Sequence, residues 1–373
     1  MYNSRKILGI CDLHESPNIG GFSSKRSFGT TTFLGRYAIM DFTLSNFANS
    51  NIDGVCILVD KFYHSVIAHV DSGKQWTSNT KVGFEYLMFN EDLVYKPALN
   101  NDVNNIRINK AIFDKLDFNF VVIAPVHYLS SMDFRPIIEQ HIESKAKITA
   151  VYVPIHDGKN TFTKSTVLSF NKDGTVKKFR KNPKTKDDID VSLDTFVISR
   201  DTFDYIVERQ GEISELYTLK EMISWLNDHE ELHVHAYKFE HYVLPIMSMN
   251  DYLNGSYELL TYDNRRRIFR SDWPISTTTH DTPPTKYGEN ADVKESIVSN
   301  GCVIDGKVKH SILSRKVVVE KGASVSDCII FTNTVIKKGV KLAYVNVDKN
   351  CVITKSMRGT PEDPIFIKGG SKF

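Results

Sequence analysis

The 373-residue sequence lacks the features that would place it in a specialised class of protein. Its 47 basic and 45 acidic residues give a net charge of +2, which excludes a strongly basic nucleic-acid binder and an acidic disordered chain. No apolar run approaches the ~20 residues of a membrane span, and the first ten residues contain no signal-peptide core. We therefore expect a cytosolic, globular protein of two or possibly three domains.

Cysteine is scarce, and common catalytic motifs are missing. The five cysteines form no CxxC pair, so the sequence predicts neither a zinc site nor a disulfide framework: they are Cys11, Cys56, Cys302, Cys328 and Cys351. We expect them to be reduced and mostly buried. The sequence also contains no GxSxG elbow and no GxxxxGK[ST] loop, which argues against the enzyme classes that depend on them.

The first ~240 residues alternate strand-like and helix-like stretches, a pattern typical of an α/β sheet. Continuous apolar runs of the kind found in strands buried on both faces lie at 6–11, 54–59, 118–125 and 148–154. Helical spacing of apolar residues predicts a crossover helix over 134–145. Further along, the patterns predict a hairpin at 168–179, a helix at 218–227 and a strand at 233–239.

The spacing of the apolar residues changes in the last third of the chain. Apolar residues recur every five or six positions from Ile297 to Ile353, with turn-forming pairs such as Asn300-Gly301 and Lys338-Gly339 between them. This is the hexapeptide pattern of a parallel β-helix, and we favour it over an ordinary all-β hairpin domain because long alternating strands are absent. The predicted domains are therefore an α/β domain at 1–262, a linker at 263–287 and a β-helix at 288–373.

Several segments resemble one known family. Gly35 to Asn46 (GRYAIMDFTLSN) is similar to its G-K-Y-R-I-I-D-F-x-L-S-N, and Ser296 to Leu313 is similar to its S-x-V-x-x-G-C-x-I-x-G-x-V-x-x-S-V-L. His69 to Trp76, and Met132-Asp133-Phe134 with His141, match shorter motifs. On these residues the chain resembles the bacterial glucose-1-phosphate adenylyltransferases, or ADP-glucose pyrophosphorylases, over essentially its whole length. The resemblance implies a Rossmann-like (GT-A-like) mixed-sheet domain followed by a left-handed parallel β-helix.

The chain departs from that family at the nucleotide-binding loop. The family has L-A-G-G-x-G-x-R-L after its first strand, whereas this chain has Gly9 to Glu15 (GICDLHE), with Cys11 and no paired glycines or arginine. The lysine of the family's R-A-K-P is Phe28 here, and its G-T-A-D-A region aligns loosely with residues 101–105 (NDVNN). Backbone N–H groups of a glycine-rich loop are what approach the triphosphate, so this change removes part of the catalytic apparatus.

The residues that hold metal and sugar phosphate in the family are also replaced. Its Mg²⁺ aspartates lie in G-D-H and in Y-W-x-D-V-G-T, where this chain has Val126-His127 and Pro245, and its sugar-phosphate lysine is Asn182. The resemblance therefore implies a noncatalytic or weakly catalytic, GlgD-type regulatory subunit of the glycogen-synthesis enzyme, with no catalytic, cofactor or metal residues of its own. It implies a hetero-oligomer, expected to be a tetramer, with a catalytic sister subunit that uses Mg²⁺.

A regulatory anion site is a further expectation. Lys25 and Arg26 match a K-R pair that the family uses near its phosphate effectors, and Lys349 stands where the family has a basic effector residue. Ala38 replaces another cation of that set. We expect the three cations to converge on a phosphate or sugar phosphate, with ordinary surface cations as the competing interpretation.

Three alternative functions remain open from the sequence. One is an active nucleotidyltransferase with a rebuilt metal site, for which Asp12, Glu15 and Asp133 are candidate carboxylates. Another is a hexapeptide-repeat acyltransferase, for which His310 is the candidate catalytic base within the repeats. The third is a sugar-phosphate sensor that binds no partner.

Overall fold

The computed structural model describes residues 6–52, 54–71, 75–76, 83–90 and 96–373. The His69–Trp76 segment lies partly outside this range, because residues 72–74 are not described. Within the described residues, an α/β domain is followed by a parallel β-helix. This two-part architecture confirms the predicted fold class.

The α/β domain is built from short strands and helices. Its strands are β1 (Ile7–Asp12), β2 (Thr32–Phe33), β3 (Tyr37–Ala38), β4 (Gly54–Val59), β5 (Phe84–Phe89), β6 (Phe120–Pro125), β7 (Tyr128–Leu129), β8 (Ile148–Ile155), β9 (Thr166–Phe170), β10 (Val176–Lys181), β11 (Ile189–Ser199), β12 (Val234–Lys238) and β13 (Leu244–Pro245). Its helices are α1 (Met40–Asn49), α2 (Tyr63–Val70), α3 (Asp102–Ile108), α4 (Lys110–Phe113), α5 (Arg135–Glu143), α6 (Arg200–Ile213), α7 (Leu219–Asp228), α8 (Met249–Glu258) and α9 (Tyr262–Ile268). Short 3-10 turns lie at Gly20–Ser23, Phe28–Thr30 and Pro97–Leu99.

The main sheet follows the order β10-β9-β11-β6-β1-β4-β5, with β8 and β12 attached through β11. Strands β6, β1, β4 and β5 are parallel, whereas β11 runs antiparallel to β6. The apolar runs predicted as strands form β1, β4, β6 and β8, and the predicted crossover helix is α5. Because parallel strands end at the same edge, the segments after β1, β4 and β6 meet there.

The β-helix consists of three sheets of five strands, each stacked in register. Its strands are β14 (Lys286–Tyr287), β15 (Asp292–Lys294), β16 (Ile297–Val298), β17 (Val303–Ile304), β18 (Lys307–Lys309), β19 (Ile312–Leu313), β20 (Val318–Val319), β21 (Ser324–Ser326), β22 (Ile329–Ile330), β23 (Val335–Ile336), β24 (Lys341–Ala343), β25 (Val345–Val347), β26 (Val352–Ile353), β27 (Met357–Arg358) and β28 (Ile365–Ile367). The segment 263–287, which is predicted as a linker, contains strand β14 and most of helix α9, so part of it is regular secondary structure.

The repeat buries its apolar residues by stacking. One inward column runs through Ile304, Val319, Ile336 and Ile353, which are paired in register and completely buried. The corner before these strands has a left-handed backbone at Gly301, Lys316, Asn333 and Asn350. Glycine and asparagine tolerate this conformation best, which explains the turn-forming residues between the apolar ones.

The two domains share a hydrophobic core. Ile312 and Ile329 of the sheet that contains β19 and β22 belong, with Phe331, to the same buried cluster as the centre of the α/β domain. The five cysteines are free and buried, as expected. In the described part of the chain, no helix is both long and apolar enough to cross a membrane.

Candidate functional site

The carboxyl edge of the parallel strands brings several polar side chains together, and we call the region that they occupy the cleft. It is lined by the segments that follow β1, β4 and β6, and by the start of α3 and of α7. Asp12 ends β1, Asp60 follows β4, and both carboxylates are buried. In open α/β sheets this edge is where ligands bind, so the cleft is the first candidate for a functional site.

The two segments predicted to lack metal ligands are neighbours in space. Pro245 of β13 pairs with Tyr128 of β7, and the Ile246 N–H donates to the His127 carbonyl at 2.8 Å. Val126 and His127 are almost completely buried beside them. The structure therefore brings both positions together, and neither of them supplies a carboxylate.

An ion-pair network occupies the neighbouring part of the cleft. The Lys220 ammonium, from the first turn of α7, lies 2.7 Å from Glu15 Oε2 and 3.0 Å from Asp194 Oδ2. His127 Nε2 lies 3.9 Å from the same Asp194 oxygen. Burial lowers the pKa of His127 to about 4, so this imidazole is neutral at physiological pH.

Further buried carboxyl groups line the cleft. Burial and the nearby Glu15 raise the pKa of Asp102 to about 7, and burial raises that of Asp60 to about 6. Burial and Asp102 raise the pKa of Asp12 well above its usual range. Raised pKa values favour the protonated, neutral form of these carboxyl groups, and none of them is a cation that could bind the phosphates of a nucleotide.

The polar side chains that align with substrate-binding positions of the family make hydrogen bonds within the chain itself. The buried Asn182 amide donates to the carbonyls of Gly158 and Phe162 at 2.8 and 3.1 Å, and its oxygen accepts from the Lys184 N–H. Residues 101–105 form the buried start of α3, where both oxygens of the Asp102 carboxylate share one bifurcated hydrogen bond from the Leu219 N–H. These hydrogen bonds within the chain fix local structure.

The remaining replaced positions are part of the core. Cys11 lies in β1 and is completely buried, and burial raises the pKa of its thiol well above the usual range. Phe28 lies in the turn Phe28–Thr30 and belongs to the main hydrophobic cluster. A buried aromatic ring therefore stands where the family has a lysine.

The divalent metal that the sequence family uses does not fit this cleft. The side chains at its two ligand positions are a buried valine and a proline. Among the described residues, no group of three or more His, Cys, Asp or Glu side chains is arranged to hold a metal ion. No step of a reaction can be assigned to a metal bound by these residues.

A second candidate site lies between the two domains. A cavity of about 270 Å³ is lined from the α/β side by Arg36, Ala38 and His69, and from the β-helix side by Arg315 and Lys349. Burial and Arg36 lower the pKa of Arg315, and burial and Arg26 lower that of Lys349. Cations held close together in this way favour an anion between them.

The cavity contains one of the three cations predicted for it. Lys349 lines it, but Lys25 is exposed and is not among its lining residues. Arg26 is held next to it by Asp348, whose two carboxylate oxygens lie 2.7 and 3.0 Å from Nη2. Of the three cations expected to converge, Lys25 is exposed and does not line the cavity, and Arg26 already has a carboxylate partner. The anion site itself stays a prediction.

The candidate residues of the alternative functions have other partners. Asp133 receives Arg135 in a bidentate ion pair and lines a different cavity, whose lining includes neither Asp12 nor Glu15. His310 pairs with Asp327 at 2.8 Å and stacks on Tyr257 of α8 at the domain junction. A histidine stacked in this way is part of the packing between domains.

Sequence reasoning missed the residues that define both sites. Lys220 and Asp194 carried no local signal, because their significance depends on contacts across long stretches of chain. Arg36 could have been found, since it stands at the lysine of the matched G-K-Y-R segment. Arg315 could not have been found without the stacking of the β-helix.

Comparisons with known proteins agree with this geometry. A family model described as "Nucleotidyl transferase" matches residues 23–242, and one described as "GlmU-like, C-terminal hexapeptide" matches residues 282–360. The chain is 27% identical to the glycogen biosynthesis protein GlgD of Bacillus subtilis (strain 168), over 99% of this chain and 97% of that protein. It is 28% identical to GlgD of Geobacillus stearothermophilus over 86% and 83% of the two chains. It is 26% identical to the glucose-1-phosphate adenylyltransferase of Bacillus subtilis (strain 168) over 83% and 81%.

Proposed function

Because the chain belongs to the nucleotidyl transferase family, among relatives that serve glycogen biosynthesis, we propose that it is a noncatalytic regulatory subunit of a glucose-1-phosphate adenylyltransferase. One observation supports this most strongly. Pro245 pairs with Tyr128, two residues after Val126, so neither position that aligns with a metal-binding aspartate supplies a carboxylate, and Asp194, an ion-pair partner of Lys220, lies 3.9 Å from His127.

The chemistry of the reaction explains why these replacements abolish turnover. Attack of a sugar phosphate on the α-phosphorus of ATP builds up negative charge, which a metal ion and nearby cations must offset. The family's loop arginine, its lysines and both metal ligands are absent here. Each loss of about 1.4 kcal/mol in transition-state stabilisation slows the reaction tenfold, so the combined losses leave negligible activity.

The proposed partner is a catalytic sister chain with an intact site. In this proposal the sister converts ATP and glucose 1-phosphate to ADP-glucose and pyrophosphate, and the two chains form a cytosolic hetero-oligomer, expected to be a tetramer. The shared core between the domains bears on how this is tested. Ile312 of the β-helix packs in the same buried cluster as the centre of the α/β domain. A chain truncated after Leu260 would lose this packing and expose part of that core, so assembly has to be measured with the full chain.

The proposed regulatory site is the cavity between the domains. Arg36, Arg315, Lys316 and Lys349 surround it, and two threonines, Thr30 and Thr32, add hydroxyl groups. Cations and hydroxyls are suited to phosphate, so we assign to this cavity a phosphate or sugar-phosphate effector. Because both domains contribute cations, binding would change how firmly they are held together.

The decisive experiment assays the isolated chain, the sister chain and their mixture with Mg²⁺, ATP and glucose 1-phosphate. We expect no turnover above background from the isolated chain, and an altered rate or effector response in the mixture. Turnover by the isolated chain within the ordinary enzyme range of about 1–10³ s⁻¹ would overturn the noncatalytic assignment. Failure of the two chains to co-purify would favour the partner-free sensor instead.

The effector site is tested separately in the mixed enzyme. Lys349→Ala should weaken the response to phosphate effectors and reduce sulfate or sugar-phosphate binding, while co-purification with the sister stays intact. Lys25→Ala is the matched control, since it removes a lysine that is exposed and does not line the cavity. Equal responses from both variants would remove the cavity from the proposal.

A further inference from the structure

The segment that connects the two domains also lines the cavity between them. It lies between α9 and β14, and it contributes His280, Asp281 and Thr282 to the lining. The carbonyl of His280 accepts from the Thr282 hydroxyl, but its imidazole has no hydrogen-bond or ion-pair partner among the described residues. The cavity therefore contains an imidazole that is available to a ligand.

The charges of the lining favour an anion. Against one carboxylate, the exposed Asp281, the described lining holds four cations, none of which forms an ion pair with a described carboxylate: Arg36, Arg315, Lys316 and Lys349. Positive charge that is not balanced within the chain attracts a phosphate or sulfate group, and charged N–H donors bind such groups well.

The same basic side chains act on His280. Partial burial lowers the pKa of His280, and four neighbouring groups lower it further: Arg315, His69, Lys316 and Lys349. Without a ligand the imidazole is therefore mostly neutral at neutral pH. An anion placed among these cations offsets their repulsion, so it favours the protonated imidazole, whose N–H groups can donate to the anion. Proton uptake and anion binding must then strengthen each other to the same extent.

The second imidazole of the lining is in a different situation. The Nε2 atom of His69 lies 2.6 Å from Asp41 Oδ1, and Asp41 is completely buried. His69 thus has a negative partner before any ligand enters the cavity, whereas His280 does not. The contributions of the two histidines can therefore be separated by substitution of His280 alone.

We propose that His280 is a ligand of the anion in this cavity and takes up a proton when the anion binds, so that the connecting segment responds to both effector and pH. The inference rests on the proposed effector site, to which it adds a residue outside both domains and a dependence on pH. Affinity for the anion should rise as pH falls, because the protonated imidazole is the form that binds it better. One such group can change the affinity by at most about tenfold for each pH unit.

Calorimetric titration of the full chain with sulfate tests the proposal, because sulfate remains a dianion over the range of about pH 5.5–7.5 in which histidine titrates. Wild type should bind sulfate roughly tenfold more tightly at the lower end of this range, and it should take up protons from the buffer as it binds. The affinity of His280→Gln should change less than about twofold over the range. His280→Lys stays charged throughout, so it should bind sulfate equally well at both ends.

His156→Gln is the matched control. His156 is an exposed histidine that pairs with Asp188 and does not line the cavity, so this variant should keep the full pH dependence of wild type. Sulfate binding by wild type without pH dependence, or a pH dependence that persists in His280→Gln, would overturn the role of His280 and leave the effector cavity in place. If wild type binds no sulfate at any pH, the effector cavity and the role of His280 are both overturned.

Discussion

Replacement of Phe22 by alanine should separate the unfolding of the two domains. Phe22 lies in the turn Gly20–Ser23 of the α/β domain and is completely buried. Its ring stacks on Phe331 at 4.2 Å and meets Phe366 edge-on at 5.1 Å, and both of these rings belong to the β-helix. On its other side it contacts Tyr252 of α8 at 5.4 Å. One side chain thus connects the two domains.

The expected cost follows from this packing. Truncation of a fully buried phenylalanine to alanine typically costs about 3–5 kcal/mol, which includes about 0.5–1.5 kcal/mol for each aromatic pair that is lost. The Phe366 ring packs tightly against the neighbouring Gly21, where a Cβ atom would lie only 2.0 Å from that ring. The cavity left by the Phe22 ring therefore cannot collapse easily. We therefore expect a loss of about 4 kcal/mol, concentrated at the junction between domains.

The assay uses urea unfolding with two signals. All three tryptophans, Trp76, Trp225 and Trp273, precede the β-helix, so fluorescence reports on the first part of the chain, whereas far-ultraviolet circular dichroism reports on the whole. Wild type should give coincident transitions and Phe22→Ala separated ones. Phe62→Ala, at a position that is 39% exposed, should cost less than about 1 kcal/mol. Coincident transitions in Phe22→Ala, with a midpoint close to wild type, would refute the reasoning.

Three further predictions concern single groups. Burial raises the pKa of Glu85 from 4.5 to about 7, so the folded state holds an extra proton between these values and stability falls as pH rises through that window. Glu85→Gln should remove roughly 2–3 kcal/mol of this loss in the free energy of unfolding, and it should flatten the plot of urea midpoint against pH. An unchanged slope of that plot would contradict the raised pKa of Glu85. Pro245→Asp should not restore adenylyltransferase activity in the isolated chain, because one carboxylate cannot replace the missing loop and lysines, so measurable turnover would count against the proposed function. In a double-mutant cycle, Arg26→Met and Asp348→Asn should show a coupling of about 1–3 kcal/mol, since both side chains are at least 89% buried; a coupling near zero would exclude this pair as a link between domains.

The local patterns of the sequence were enough to predict the architecture. The apolar runs at 54–59 and 118–125 identified strands buried on both faces, and the repeat from Ile297 to Ile353 identified the β-helix, because both signals depend on residues close together in the chain. The loss of metal ligands was also visible, since Val126 and Pro245 fall within recognisable motifs.

Only the tertiary structure decided which side chains meet at the carboxyl edge of the sheet. Lys220 and Glu15 are 205 residues apart, and nothing in either segment indicates that they meet. In the same way, Lys25 and Arg26 are adjacent in sequence, yet one is exposed and the other is bound to Asp348 across the domain junction. The physical reason is that the energy of a charged side chain depends on its burial and on its partners, which chain folding brings together from distant segments.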